Sequence, residues 1–330
     1  MFLKKISLFL VSALLMISST YGQDEQPASD DFKPSGKPFV KIFTNFHTDF
    51  VDRNTFSQFE LTRAYLGYSY QFSKNFSAKA NLDFGDTGSQ SYFLIGFLKN
   101  AYVKYETKGL SIQFGLIGTT MFGLQENFWG GRYLYKSFQD AYRMGPSADL
   151  GISAAYEFNK YISADLAVFN GEGYKRLEND STLKYAAGVT VKPVDGLTFR
   201  AYYDYMNKGA AQQSFSFFTG YQAKKWNLGG EYNHQLNQGM NEGRDYGGIS
   251  VYGSYSFKKI RVFGRFDQLN SVKIGDEPWN LSRDGQLVIA GLEYSPIKGI
   301  KISPNYQLYM PRESGAPSVN GAYLSLEVKY

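Results

Sequence analysis

Most of the chain from Val40 onward alternates between apolar and polar residues with a period of two. The clearest case is residues 76–84, in which Phe, Ala, Ala, Leu and Phe alternate with Ser, Lys, Asn and Asp. Because successive side chains of a β-strand point to opposite faces, this pattern predicts strands with one apolar and one polar face.

Short turns and long loops separate these segments in alternation. The short turns lie at 73–75, 107–109, 159–160, 193–196, 224–225, 258–259 and 295–299, and the longer loops at 51–56, 85–98, 119–147, 171–182, 207–213, 236–246, 270–285 and 310–320. Seven turns and eight loops predict sixteen strands, with both termini on the short-turn side. This asymmetry is typical of outer-membrane barrels. We therefore predict an all-β fold, a transmembrane antiparallel β-barrel of about 16 strands that forms one domain over residues 39–330.

Composition supports a barrel, with 27 Tyr, 27 Phe and 34 Gly and with charged residues limited to 20%. Several aromatic residues lie next to the short turns, where they would form an interfacial girdle. These are Phe72, Phe76, Tyr105, Phe158, Trp226, Phe257, Tyr294 and Tyr330. The alternative, a soluble β-sandwich or propeller, would have to bury every apolar strand face in a protein core.

The N-terminus has the pattern of a secretory signal peptide. Lys4 and Lys5 precede an apolar run at 6–17, and small and polar residues follow up to Gly22. This run is too short to span a bilayer, which takes roughly 20 residues, so we predict a cleaved signal peptide at 1–22. The proline-containing polar stretch 23–38 is predicted to be a flexible periplasmic lead.

The stretch 119–147 is the one long segment in which the alternation stops. We predict that it folds into the barrel as the third outer loop and narrows a pore, because sixteen strands leave an aqueous lumen. The alternative is a solvated outer loop. If the stretch folds inward, the residues that would form the constriction are Glu126, Arg132, Lys136, Asp140 and Arg143.

Charged residues on the predicted inward faces are equally divided between the two signs. The basic residues are Lys41, Arg63, Lys79, Lys104, Lys184, Arg200, Arg261, Arg265, Lys301 and Lys329, and the acidic ones are Asp49, Asp83, Glu106, Glu157, Asp165, Asp204, Glu231, Asp267, Glu293 and Glu327. Such a lining predicts a weak ion preference. As pore-wall contacts for solutes we favour Arg63, Lys79, Arg200 and Arg265. Alternatively, these cations pair across strands with Asp83, Asp204 or Asp267.

Several short motifs resemble the phosphate-selective porin O and P family. They are TRAYLG at 62–67, LKNAYVKY at 98–105, QFG at 113–115, FGLQE at 122–126 and DLG at 149–151. The resemblance implies a sixteen-stranded, trimeric porin whose third outer loop, here 119–147, folds inward. Met121 stands where the family pattern has proline before Phe-Gly-Leu.

These observations predict a porin in the outer membrane of a Gram-negative bacterium. It would pass small hydrophilic solutes and ions, anions such as phosphate among them, and the alternative is an adhesion or assembly scaffold barrel with a closed lumen. With two His, no Cys and no G-x-S-x-G motif, we predict no enzyme activity, cofactor or metal site. Acidic residues in 171–180 leave open the binding of calcium or of cations that bridge lipopolysaccharide.

The predicted partners are outer-membrane lipid and lipopolysaccharide, small hydrophilic solutes, the barrel assembly machinery and two further copies in a homotrimer. The assembly machinery is implied by the final strand, which ends in the aromatic residue Tyr330. The formal net charge falls from +5 to +3 when Lys4 and Lys5 are removed. Such a small charge does not favour nucleic acid as a partner.

Overall fold

A computed structural model describes residues 32–85 and 94–330. Within these residues, sixteen antiparallel strands form a closed barrel, as predicted. The barrel strands are β1 (Ser35–Val51), β2 (Asn54–Gln71), β3 (Phe76–Gly85), β4 (Ile95–Thr107), β5 (Leu110–Gly118), β6 (Ala148–Glu157), β7 (Ile162–Phe169), β8 (Lys184–Val191), β9 (Leu197–Lys208), β10 (Ala210–Gln222), β11 (Trp226–Leu236), β12 (Tyr246–Phe257), β13 (Ile260–Ser271), β16 (Gly285–Tyr294), β17 (Ile300–Pro311) and β18 (Val319–Lys329).

Five short elements lie in the loops. The inward stretch carries α1 (Gly123–Trp129) and α2 (Phe138–Ala141), and a 3₁₀-helix covers Gln238–Met240. The two-residue strands β14 (Lys273–Ile274) and β15 (Glu277–Pro278) pair with each other outside the barrel. In the described part of the chain, no helix combines the length and the apolar character needed to cross a membrane.

The barrel closes where β1 pairs with β18, in a register that sets Lys41 opposite Lys329. Closure satisfies the backbone groups of every strand and leaves no open edge. Outward positions carry large exposed apolar side chains, such as Phe114 and Leu166, with 69% and 64% of their surface exposed. The alternation seen in the sequence therefore corresponds to an apolar outer face and a largely polar inner face.

The ends of the strands differ from prediction in three places. First, β1 begins at Ser35, four residues before the predicted barrel start at 39. Residues 35–40 pair with β2, whereas the pairing of β1 with β18 begins at Lys41. Pro38 is tolerated there because its missing N–H is needed on one side only. The predicted signal peptide 1–22 and residues 23–31 of the predicted lead lie outside the described residues.

Second and third, two connections that we expected to be long are tight. β1 and β2 are joined by Asp52 and Arg53, and β9 and β10 by Gly209. Asp52 and Gly209 have positive φ values of 52° and 106°, which a tight hairpin turn requires and which Asp and Gly tolerate. All seven predicted short turns lie between paired strands as expected.

The inner face is less polar than predicted, because aromatic side chains also point inward. Phe43, Tyr202, Phe218, Tyr252 and Phe263 are all buried inside the barrel. They pack in two clusters with apolar residues of the stretch 119–147. These residues form the apolar surface on which the inward loop rests.

Candidate pore constriction

The stretch 119–147 folds into the barrel between β5 and β6, which confirms the predicted inward third loop. Met121, Phe122, Trp129, Phe138 and Met144 are buried there, each with less than 5% of its surface exposed. Burial of five large apolar side chains supplies a strong reason for the loop to leave solvent. We call this segment the inward loop.

Helix α1 is fixed to the wall by hydrogen bonds to β10, β11 and β12. The Gln125 amide donates to the Ser216 hydroxyl at 3.2 Å, and the Tyr252 hydroxyl donates to the Gln125 carbonyl at 2.9 Å. The Asn227 side chain donates to the Phe128 carbonyl. These bonds satisfy backbone groups of a seven-residue helix that is too short to be stable in isolation.

Helix α2 is held against β10 and β11 in the same way. The Gln139 amide donates to Asn233 at 2.7 Å and to Ser216 at 3.1 Å. Just beyond the helix, the Gln235 amide donates to the Met144 carbonyl at 2.6 Å. The strands from β9 to β13, together with β16 and β17, therefore hold the inward loop, and we call them the loop wall.

Two of the predicted pore-wall cations, Arg265 and Arg200, are anchors of this loop. Arg265 donates twice to Asp267, at 2.8 and 2.6 Å, and once to the Lys136 carbonyl at 2.7 Å. Its guanidinium also lies over the Trp129 ring, 5.0 Å from the ring centre. The sequence pattern located these cations correctly on the inner face but could not show that the loop covers them.

Arg200 repeats the arrangement at the start of the loop. It forms a two-bond pair with Asp165, at 2.6 and 3.0 Å, and donates to the Thr120 carbonyl at 2.8 Å. Cross-strand pairing was the alternative considered for these cations, with Asp204 among the candidate partners. Asp204 instead lies 3.8 Å from Lys184.

A cavity of about 310 Å3 lies between the inward loop and strands β1–β5. We call this cavity the passage and these strands the passage wall. The charged residues that line the passage are Lys41, Lys79, Lys99, Arg132, Glu126 and Asp140. Four cations and two acids line this space, so the even balance of charge predicted for the barrel as a whole does not hold in this cavity.

Three of the five predicted constriction residues, Glu126, Arg132 and Asp140, line the passage from the loop side, and a fourth, Lys136, lies beside them. Arg132 lies 3.3 Å from Glu126 and 3.2 Å from Asp140, and Lys136 lies 3.9 Å from Asp140. The fifth, Arg143, is exposed and does not line the cavity. The neighbouring Met144 is buried, and its carbonyl is bonded to the loop wall, so the chain turns Arg143 away.

The passage-wall side is organised around Asp83, which is fully buried. Arg63 donates to one of its oxygens at 3.2 Å, and Tyr174 donates to the other at 2.8 Å. The ammonium of Lys99 lies 3.6 Å from Asp83. Of the predicted wall cations, Arg63 is thus paired with a carboxylate as the alternative predicted.

Lys79, the fourth predicted wall cation, has no acidic partner within 4 Å in the part of the chain that the structure describes. Its ammonium lies over the Phe39 ring at 4.9 Å. In the same way, Lys99 lies 4.9 Å from the centre of the Tyr65 ring, and Lys175 lies 4.7 Å from that of Phe97. Aromatic faces hold an ammonium without neutralising its charge.

Lys99 was not predicted because a β-bulge interrupts the alternation. Asn81 is paired with Asn100 and Leu82 with Leu98, which leaves Lys99 as the extra residue of β4. A bulge lets two successive side chains reach the same space, and both Lys99 and Asn100 line the passage. The one sequence signal was the polar pair 99–100 inside a strand pattern.

Crowding of cations affects the two lysines that belong to loops. Partial burial lowers the pKa of Lys136, and the nearby Arg132, Arg63 and Lys175 lower it further, against the opposing effect of Asp140. Partial burial also lowers the pKa of Lys175, with Arg63 and Lys99 acting in the same direction. Asp83 and Asp140 oppose the lowering at Lys175, so burial is the largest cause of both shifts and neighbouring cations add to it.

Three acidic side chains lie close together in the outer loop between β7 and β8, which cation binding by residues 171–180 would require. Ligand oxygens of Glu172, Glu178 and Asp180 lie within 4.8 Å of one another. Glu178 already accepts two backbone N–H bonds, and Asp180 lies 3.5 Å from Lys208. Local turns thus account for much of this cluster.

The chain shares its fold with solved outer-membrane proteins. The outer membrane channel DcaP of Acinetobacter baumannii has 12% sequence identity and a TM-score of 0.66, over 90% of this chain and 97% of that one. OmpF of Salmonella typhi has 14% identity and a TM-score of 0.61, over 88% and 97% of the two chains. A loop L8 deletion mutant of OmpT, an outer membrane protein of Vibrio cholerae, has 14% identity and a TM-score of 0.59, over 90% and 99%.

Identities this low support the architecture and leave function to be argued from the residues. No protein-family model matches the chain, and no curated protein matches it. The resemblance to the phosphate-selective porin family therefore stays a prediction.

Proposed function

We propose that this protein is an outer-membrane porin that passes small hydrophilic solutes by passive diffusion and prefers anions. The observation that carries the anion preference is the excess of cations along the passage. Lys41, Lys79, Lys99 and Arg132 line it together with only two acids, Glu126 and Asp140, and the loop lysines Lys136 and Lys175 lie close enough to Arg63 for it to lower the pKa of both. Selectivity in a pore follows the charges that line it.

Phosphate is proposed as one permeant anion among several, without a dedicated binding site. Guanidinium groups are the best forks for phosphate, but Arg63 and Arg132 are already engaged by carboxylates. The lysines that rest on aromatic rings are point charges that attract any small anion. The proposal accordingly favours anions as a class and excludes strong discrimination between phosphate and chloride.

The proposal also holds that the chain is not an enzyme. Among the described residues, charged side chains of the inner wall such as Arg63, Arg200 and Arg265 are engaged in ion pairs and in anchoring the inward loop. His47, whose ring contacts Asn45 at 2.7 Å and Gln58 at 3.3 Å, is engaged in a hydrogen-bond network with neighbouring amides.

Recording from planar bilayers tests the function directly. Purified, refolded protein is expected to give steady conductance steps, and a gradient of KCl is expected to give a reversal potential that indicates chloride permeation over potassium. Well-folded protein that never conducts would reject the porin and favour a scaffold barrel with a closed lumen. Conductance with a preference for potassium would reject the anion preference alone.

The remaining predicted associations belong to this proposal. Residence in the outer membrane of a Gram-negative bacterium after signal-peptide cleavage, lipid and lipopolysaccharide around the barrel, insertion by the barrel assembly machinery, and a homotrimer are its expected setting. Chemical cross-linking of native membranes is expected to yield a species of three chains. If cross-linking yields only single chains, the homotrimer is rejected, and the proposed pore is not affected.

A further inference from the structure

The short-turn end of the barrel carries a concentrated positive charge. The seven connections at this end, 72–75, 108–109, 158–161, 192–196, 223–225, 258–259 and 295–299, contain nine lysines and one acid, Asp195. The lysines are Lys74, Lys108, Lys160, Lys192, Lys224, Lys225, Lys258, Lys259 and Lys298, and all nine are exposed. We call them the lysine collar.

The opposite end has no such bias. Apart from the inward loop and the connection that includes residues 86–93, the connections there are 52–53, 170–183, 209, 237–245, 272–284 and 312–318. Together they contain seven basic and ten acidic residues. Turn formation by itself does not require lysine, because Gly, Asn, Asp and Ser serve turns better. Turn formation therefore does not explain why the lysines are concentrated at one end of the barrel.

The collar lies directly beside the aromatic residues that border the outer face. Phe72, Trp226 and Phe257 are each more than half exposed and lie within two residues of a collar lysine. Two ammonium groups rest on such rings, that of Lys160 at 4.8 Å from Tyr161 and that of Lys258 at 5.3 Å from Phe257. These charges are thus held at the rim of the apolar belt, the depth at which lysine side chains meet lipid headgroups.

The distribution of the collar indicates what it contacts. Every one of the seven short turns contributes at least one lysine, so the charge surrounds the whole circumference. A folded protein partner would approach from one side and would need a one-sided patch. A leaflet of lipid surrounds a barrel completely.

We propose that the lysine collar binds anionic phospholipid headgroups in the leaflet at the short-turn end. This inference rests on the proposed residence of the barrel in a membrane. Each lysine near a bilayer surface enriches anionic lipid about fivefold. The collar would select the surrounding lipids and fix the depth of the barrel at that interface.

Trp226 provides a local reporter, because it is exposed beside Lys224 and Lys225. Trp129 belongs to the inward loop and is buried against the inner wall, and Trp279 lies in a loop at the other end. The protein is refolded into vesicles of phosphatidylcholine with phosphatidylglycerol, and one lipid or the other is brominated to quench tryptophan fluorescence. We expect brominated phosphatidylglycerol to bind near Trp226 at least about fivefold better than brominated phosphatidylcholine. High salt should weaken this preference.

The test variant is K224Q/K225Q, for which we expect nearly equal quenching by the two lipids. K208Q/K273Q removes two exposed lysines at the opposite end and is expected to retain the wild-type preference. W226F should lose the quenching, which verifies the reporter. Equal quenching in the wild type, or a preference that survives in K224Q/K225Q, would overturn the inference.

Two further outcomes separate this inference from its alternatives. If K224Q/K225Q loses sedimentation with purified peptidoglycan while its lipid preference is unchanged, the collar binds a cell-wall polymer and the lipid inference fails. Conductance measured on the same vesicles tests the porin separately, since a conducting barrel without lipid preference removes only the collar inference. If the protein shows the lipid preference but does not conduct, only the proposed porin function is rejected. Failure to insert into bilayers of either composition would overturn both.

Discussion

The loop wall and the passage wall carry the same kinds of charged residue on the same inner face, but they use them differently. On the loop wall, Arg200 and Arg265 each pair with a carboxylate and then donate to a loop carbonyl. On the passage wall, Lys79 and Lys99 rest on aromatic rings and line the open space, and Lys99 also lies 3.6 Å from Asp83. Charge stabilises structure on one side and creates a field on the other.

The difference follows from what lies in front of each wall. A charge covered by the inward loop loses solvent and must be paired, since an unpaired buried charge is very costly. A charge that lines an open space keeps part of its hydration, so an aromatic ring or a shared acid such as Asp83 is enough to hold it. One inner face therefore provides both a foundation for the loop and a lining for the passage.

The largest expected effect comes from removing an anchor on the loop wall. In R265A, Asp267 would remain buried without its partner, because both side chains of the pair are fully buried. Breaking such a pair costs about 3–5 kcal/mol, and the loop also loses its bond at the Lys136 carbonyl. We expect a lower midpoint of unfolding in guanidinium chloride and noisier channel currents.

R63A is the matched change on the passage wall. Asp83 would keep Tyr174 at 2.8 Å and Lys99 at 3.6 Å, so the loss of stability should be clearly smaller than in R265A. Equal destabilisation by the two variants would contradict the division of labour between the walls.

The next effect concerns ion preference and should arise on the passage wall. K79Q/K99Q removes two cations that line the cavity, and a unit charge about 4 Å away is worth about 1 kcal/mol in water. We expect the permeability ratio of chloride to potassium to fall by roughly fivefold, read from reversal potentials in a KCl gradient.

K104Q/K329Q makes the same change in charge at inward positions near the short-turn end. Lys104 is paired with Glu106 at 2.6 Å, away from the lining of the passage. Its effect on the permeability ratio should be small. If both double variants changed the ratio equally, the preference would depend on total charge and not on the passage.

A smaller effect should follow from titration of the two loop lysines. Because the pKa of Lys136 and that of Lys175 are lowered by partial burial and neighbouring cations, these groups lose their protons at lower pH than ordinary lysines. A lysine carries its charge below its pKa, so the anion preference should be full near neutral pH. As the pH rises, the preference should decline as Lys136 and Lys175 lose their charge, before ordinary lysines lose theirs. Reversal potentials measured from pH 7 to about pH 10 test this decline.

K136Q/K175Q is the control for this pH dependence. Its anion preference should be weaker at neutral pH and nearly flat over the same interval. A decline as steep as that of the wild type would assign the titration to other groups.

The sequence predicted the barrel well because its strands obey a simple rule. An apolar outer face and a polar inner face produce a period of two, and the turns at 73–75 and 258–259 interrupt it where the strands end. Loop lengths were less predictable. The connection at 207–213 looked polar enough for a loop, yet strand pairing continues to Lys208 and resumes at Ala210, because hydrogen bonding to the neighbouring strand outweighs local preference.

The candidate site was predictable in part, where a break in the strand alternation marked a loop that turns into the barrel. Glu126, Arg132, Lys136 and Asp140 came together because the loop turns inward as a unit. Lys99 escaped prediction because a bulge changes which side chains face the lumen. The anchoring roles of Arg200 and Arg265 depend on loop carbonyls more than 70 residues away along the chain, and no local pattern records such contacts.

The smallest expected effect separates two hydrogen bonds that hold the same loop. Gln235 is buried and donates to the Met144 carbonyl at 2.6 Å and to Ser214 at 2.8 Å. Gln307 is less buried and donates to the Leu134 carbonyl at 3.4 Å. Leaving a buried carbonyl without a donor costs about 1–3 kcal/mol, whereas a typical hydrogen bond contributes about 1 kcal/mol.

We therefore expect Q235A to lower the stability of the barrel measurably and Q307A to lower it by about 1 kcal/mol or less. Guanidinium unfolding followed by tryptophan fluorescence would compare them. Because both bonds lie on the loop wall, neither variant should change the chloride preference in a KCl gradient while the loop stays docked. A change of selectivity in Q307A without a change in stability would mean that the loop wall also contributes to the field, since Leu134 lies only two residues from Arg132 in the passage.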